Sequence, residues 1–199
     1  MKLTKLSRSI EGKVAIVTGA ASGMGRSTAC LFAEHGALVA LTDINEEPLN
    51  DVVKEISEAG YPVRGWTLDV SDRDAIERVV PEIAVHFGGI DILINNAGIG
   101  AGAPVDDDDY ESVWQRGQDV LITAHVRMIR AALPFLREAH GGRIVNIAST
   151  EGLGATKYSS AYSAAKTGVL GLTRSLAVEF GTEDITVNCI CPGPIRTGL

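Results

Sequence analysis

The sequence predicts an α/β fold, a doubly wound parallel sheet with helices on both faces. Short apolar runs without polar alternation are separated by stretches of helical period, and the runs end in polar residues or glycine. Val14, Ala15, Ile16 and Val17 make the first run, as a strand buried on both faces requires, and Gly19, Gly23 and Gly25 follow in a turn that passes into a helix. A pyrophosphate held against the main chain needs side chains out of its way and the free N–H groups of a helix N-terminus. Glycine at those three places clears the approach. The spacing, Gly-x3-Gly-x-Gly after Thr18, differs from the Gly-x-Gly-x-x-Gly of the commoner dinucleotide fingerprint.

Residues 1–11 read as a flexible lead-in and 12–199 as a single domain. The first helix spans 22–36, with Met24, Cys30, Leu31 and Phe32 near helical spacing and Gly36 at its end. The second strand, 37–42, ends at Asp43, and Leu49, Val52, Val53 and Ile56 stripe a helix closed by Gly60. The third strand, 62–68, ends at Asp69. Ser71 is the expected N-cap of a third helix carrying Ile76, Val79, Val80, Ile83 and Phe87, which Gly88-Gly89 ends. The fourth strand, 90–94, runs into Asn95-Asn96-Ala97-Gly98, and the acidic run 106–109 reads as the solvated first turn of a helix. A long helical pattern covers 111–139, with Gly117 as a possible break because glycine costs about 1 kcal/mol there. The fifth strand, 143–148, ends at Ser149, a second long helix spans 158–180, and the sixth strand, 185–190, runs into Cys191-Pro192-Gly193-Pro194.

In such sheets ligands bind outside the carboxyl ends of the strands. Those six ends carry Gly19, Asp43, Asp69, Asn96, Ser149 and Gly193, so polar residues and glycines gather on one rim. With 199 residues, 45% of them hydrophobic, the chain can bury one sizeable core. Its net charge of −7 argues against a nucleic-acid or anionic-membrane surface, and no apolar stretch approaches the ~20 residues of a spanning helix. The expected partner is a small molecule and the expected compartment the cytoplasm. Cys30, Cys189 and Cys191 read as buried thiols, and the four scattered histidines predict no metal site.

Tyr162-Ser163-Ala164-Ala165-Lys166 puts a phenol and an ammonium on one helix face, with Cβ atoms about 5–6 Å apart. Free tyrosine has a pKa of about 10, so proton exchange near neutrality needs a neighbouring cation to favour the phenolate. Lys166 is that cation, and Tyr158, with no lysine four residues on, is the weaker candidate. Ser149, at the mouth of the fifth strand, can hydrogen-bond a substrate oxygen beside the phenol.

Together the stretches 18–25, 95–98, Ser149, 162–166 and 192–197 resemble the short-chain dehydrogenase/reductase family, over nearly all the chain. The resemblance implies a Rossmann-like fold, Tyr162 as general acid/base, Ser149 orienting the carbonyl or alcohol, and Lys166 holding the nicotinamide ribose. It implies cofactor contacts at Gly19, Ser22, Gly23, Met24 and Gly25, at Asp43 and Ile44, at Asp69 and Val70, and at Asn96, Ala97 and Gly98. After the sixth strand it implies contacts at Pro192, Gly193, Ile195 and Thr197. The expected reaction is hydride transfer between a secondary alcohol and a ketone. NAD is expected rather than NADP, because Asp43 would repel a 2′-phosphate.

Two departures from the family stand out. Leu121 occupies the place of a family asparagine that helps hold a water linking the lysine to solvent. Family members also usually continue through a substrate loop, a seventh strand and a last helix. The chain ending at Leu199 is therefore expected to be a poor catalyst alone and to associate, as a homo-oligomer, through its sixth-strand edge and long helices. Two other readings stay open: an impaired family member that binds the dinucleotide as a scaffold or partner subunit, and an interaction module without nucleotide.

Overall fold

The alternation of buried strands and amphipathic helices becomes a six-stranded sheet in the computed structural model, which describes residues 9–196. The elements are β1 (Val14–Thr18), α1 (Gly23–Glu34), β2 (Leu38–Asp43), α2 (Glu46–Glu58), β3 (Val63–Thr67), α3 (Arg73–Phe87) and β4 (Ile92–Asn95). They continue with α4 (Tyr110–Gln118), a π-helical turn (Asp119–Thr123), α5 (Ala124–Glu138), β5 (Arg143–Ile147), a 3-10 turn (Thr150–Gly152), α6 (Ser160–Glu179) and β6 (Thr186–Ile190). The strand order is β3-β2-β1-β4-β5-β6 and every pairing is parallel. The winding reverses between β1 and β4, which opens a crevice at their carboxyl ends.

Because successive strand residues face opposite sides, the core divides in two. Ala15, Val17, Val39, Leu41, Ile92 and Ile94 pack against α1 and α2. Ile16, Ala40 and Leu93 pack on the other face against α3, α5 and the end of α6. Both faces are covered, which is why these strands carry no polar alternation. Each fully buried aliphatic side chain contributes about 1.5–3 kcal/mol.

Several local expectations need correction. Asp72, not Ser71, caps α3, with its Oδ1 accepting from the N–H groups of Asp74 and Ala75, while Ser71 is held by Asp69 Oδ1. Gly88 ends α3 in the left-handed conformation at φ 86°, as expected of a C-terminal glycine. The pattern over 111–139 is not one regular helix: a π turn separates α4 from α5. Tyr158 lies outside α6 at φ 67°. The three cysteines are half-buried rather than buried. Among the described residues no helix is long and apolar enough to cross a membrane.

Candidate active site

The turn after β1 is built by mutual bracing with the end of β4. Thr18 Oγ1 accepts from the N–H groups of Asn96 and Ala97, at 2.9 Å each, and the Asn96 amide donates to the carbonyls of Thr18 and Gly19. Gly19 has φ 65°, and a Cβ there would lie 2.8 Å from Ala97 Cα. A Cβ on Gly25 would lie 2.0 Å from the Gly19 carbonyl oxygen. Glycine at 19 and 25 therefore lets the turn, α1 and β4 close on one another, a packing role beyond the ligand clearance expected from the spacing. Ser22 precedes α1 without a side-chain capping bond, which leaves the first N–H groups of the helix to other acceptors.

Asp43 completes the cradle. Its Oδ2 accepts from Ala21 N at 3.0 Å and its Oδ1 from the backbone and side chain of Asn45. Neither Asp43 nor Asp69 serves as a helix cap, the ordinary use of an aspartate after a strand. A cavity of about 730 Å³ opens over these strand ends. Its lining brings together Gly19, Ser22, Gly23, Met24, Asp43, Ile44, Asp69, Val70, Asn96, Ala97 and Gly98. Gly25 stands behind the wall. The α4 side of the lining, including Gln115, Arg116 and Asp119, was not expected, because an exposed polar helix face carries no ligand signature in sequence.

Ser149, Tyr162, Lys166, Pro192, Gly193 and Ile195 do not line this cavity. They sit along the same rim, after β5 and β6 and on α6. Thr197 lies outside the described residues. Ser149 Oγ accepts from Glu151 N at 3.1 Å, so the serine also caps the 3-10 turn, and Thr150 N donates to the Pro192 carbonyl at 2.9 Å. The Glu151 carboxylate fastens that turn to α6: its Oε2 accepts from Ser159 and Ser163 hydroxyls and from Thr156 N. These bonds hold the carboxyl below its ordinary range, chiefly the one from Ser159. A buried chain of bonds runs from Asn95 Nδ2 to Asn146 Oδ1 and from Asn146 Nδ2 to Thr173 Oγ1, tying β4, β5 and α6 together.

Lys166 Nζ lies 5.7 Å from the Tyr162 ring centroid and donates to the Ile147 carbonyl at 2.8 Å. The lysine is 3% exposed, and burial pushes its ammonium down to about 8, with Cys189 on β6 acting the other way. Leu121, in the π turn, is fully buried and packs with Ala101, Ala161 and Ala165. Ala124 and Met128, three and seven residues on from Leu121, instead join the α3 and α5 core. His125 is 2% exposed, and neither ring nitrogen has a hydrogen-bond partner among the described residues.

Burial, with the Lys166 charge second, lowers His125 from 6.5 to about 3. Between those values the unfolded chain binds the extra proton, so stability falls as pH drops through the window. In His125→Leu that contribution to acid sensitivity disappears. Urea midpoints at about pH 7 and about pH 4.5 will lie closer together than in the parent chain.

The comparisons with known proteins agree on one family. The sequence model described as short chain dehydrogenase matches residues 13–199. The chain is 37% identical over 193 residues to the 3-oxoacyl-(acyl-carrier-protein) reductase of Thermotoga maritima, covering 96% of this chain and 77% of the relative. It is 39% identical over 188 residues to cis-4-hydroxycyclohexanecarboxylate dehydrogenase of Sinomonas cyclohexanicum, covering 94% and 75%. The crystal structure of a dehydrogenase/reductase from Sinorhizobium meliloti superposes with a TM-score of 0.90 at 38% identity, covering 96% of this chain and 75% of that one.

Proposed function

The chain belongs to the short-chain dehydrogenase family, and on that premise we propose that it transfers a hydride between a nicotinamide dinucleotide and a secondary alcohol or ketone. One observation carries the reading: α6 holds a buried ammonium against the ring of Tyr162, on the rim where the glycine cradle opens its cavity. The cradle fits a dinucleotide. Side chains are excluded where the turn closes, the α1 N-terminus is uncapped by Ser22, and the cavity spans the ends of β1 to β4.

In this reading Gly19, Ser22, Gly23 and Met24 receive the pyrophosphate and Asp43 accepts from ribose hydroxyls. Val70 flanks the adenine, and Lys166 holds the nicotinamide ribose. When bound, the dinucleotide supplies or receives the hydride. Tyr162 gives its phenol proton to a carbonyl oxygen in reduction and takes the hydroxyl proton in oxidation. Negative charge on its oxygen is met by Lys166 on the ring face. Ser149 donates a hydrogen bond to the same substrate oxygen.

Asp43 supports NAD(H) over NADP(H). Arg26, the cation nearest the turn, is engaged by Glu55 on α2 at 2.6 Å and is not free to offset a 2′-phosphate. NADH will bind at least about tenfold more tightly than NADPH, and Asp43→Asn, which keeps the shape, will narrow that ratio. Fluorescence titration of both nucleotides checks this; equal or tighter NADPH binding by the parent chain contradicts it.

Leu121 favours a second reading, a dinucleotide-binding scaffold or partner subunit, because an aliphatic side chain can neither donate nor accept a hydrogen bond beside α6. A panel of ketones and alcohols assayed beside NADH titration separates the two. Binding with turnover supports the enzyme, and binding without turnover supports the scaffold.

A further inference from the structure

Lys166 and His125 are the two titratable side chains that the fold buries most completely among the described residues, and they stand within electrostatic reach of one another. Each has unspent hydrogen-bonding capacity. An ammonium has three donors, and Lys166 Nζ spends one on the Ile147 carbonyl. A neutral imidazole has one donor and one acceptor, and both ring nitrogens of His125 are unpartnered. Leaving such a group unmet in the interior is costly, and a buried water or a functional partner is the usual resolution.

The local geometry points the same way. His125 follows Leu121 by four residues across the π turn, and Leu121 packs on Ala161 and Ala165, the latter adjacent to Lys166. The π turn that carries Leu121 ends immediately before α5, whose first turn holds His125. Such turns recur at functional sites. The other titratable groups around Lys166 are Tyr162 on its own helix and Cys189 on β6, so His125 is the one offered by α5.

We propose that His125 is a positioning residue for Lys166: its neutral imidazole accepts a hydrogen bond from the buried ammonium through one enclosed water, where Leu121 offers no acceptor. This rests on the role given to Lys166 above. The imidazole would fix the direction of the ammonium and hold one of its protons, in the part of the site where the resemblance places an asparagine.

The test is titration of Lys166, read by carbon NMR with lysine labelled at Cε and the signal assigned by its loss in Lys166→Arg. In His125→Leu the Lys166 pKa falls by roughly one unit, because an acceptor that favoured the charged form is gone; in His125→Gln, which keeps an acceptor, most of that fall is restored. An unmoved titration in His125→Leu, or an equal fall in both variants, overturns the proposal. Should His125→Leu not fold, the nitrogen spectrum of the parent chain decides: the unprotonated ring nitrogen of His125 carries the shift of a hydrogen-bond acceptor, and a free lone pair overturns the proposal. NADH titration of the parent sample keeps the readings apart, since failure to bind NADH defeats the functional reading while the His125–Lys166 result stands.

Discussion

Tyr162→Phe will lower turnover by about 10²–10⁴-fold and change NADH affinity by no more than about twofold. The substitution removes one oxygen and keeps the ring, which packs against the Ala101, Leu121, Ala161 and Ala165 cluster. The Lys166 ammonium retains its ring face and its bond to Ile147. What is lost is the group proposed to exchange a proton with the substrate oxygen. Steady-state kinetics on the best substrate of the panel, beside fluorescence titration with NADH, gives both numbers. Turnover equal to the parent would move the proton to Ser149 or water and remove Tyr162 from its proposed role.

Gly25→Ala is expected to be the most damaging single-methyl change in the chain. The new Cβ would meet the Gly19 carbonyl oxygen at 2.0 Å and Asn96 Nδ2 at 2.6 Å. Neither can retreat without breaking the brace, because that amide holds the Thr18 and Gly19 carbonyls. The strain should cost about 1–3 kcal/mol or more of stability and over about a hundredfold in NADH affinity. Gly100→Ala is the matched control: its Cβ meets nothing within 4 Å, and its φ is ordinary. Thermal unfolding and NADH titration of the pair test the point. Parent-like affinity in Gly25→Ala would mean the turn is not the cradle.

Much of this architecture was legible in the sequence, for a physical reason. Strands buried on both faces read as unbroken apolar runs, so β1, β2 and β4 stood out, and the residues at their carboxyl ends identified one rim before any strand order was known. The order itself was not legible. It is set by which helices cover which face, and periodicity within one element does not carry that. The π turn was hidden because an extra residue in a continuous helix leaves the apolar pattern nearly unchanged. It nonetheless divides the apolar residues of this segment, sending Leu121 to α6 while Ala124 and Met128 join the α3 and α5 core. Ser71 and Asp72 are both plausible caps, and they are distinguished by the bonds that Asp72 Oδ1 accepts from Asp74 and Ala75 while Asp69 holds Ser71.

The site divides the same way. The closing of the glycine turn, Asp43 beside it and the placing of Tyr162 and Lys166 together on α6 were legible because each depends on close sequence spacing. The α4 lining of the cavity and the burial of His125 within electrostatic reach of Lys166 were not, since they join residues far apart in the chain. A lone histidine on an apolar face reads as core, and only its unpartnered nitrogens beside a buried cation distinguish it.

Deuterium transfer tests the proposed reaction most directly. The chain is incubated with a ketone panel and NADH deuterated at its transferable position, and the alcohols are examined by mass spectrometry. Deuterium on the carbinol carbon, lost in Tyr162→Phe, is the predicted result. NADH binding without any deuterated alcohol across the panel would contradict it.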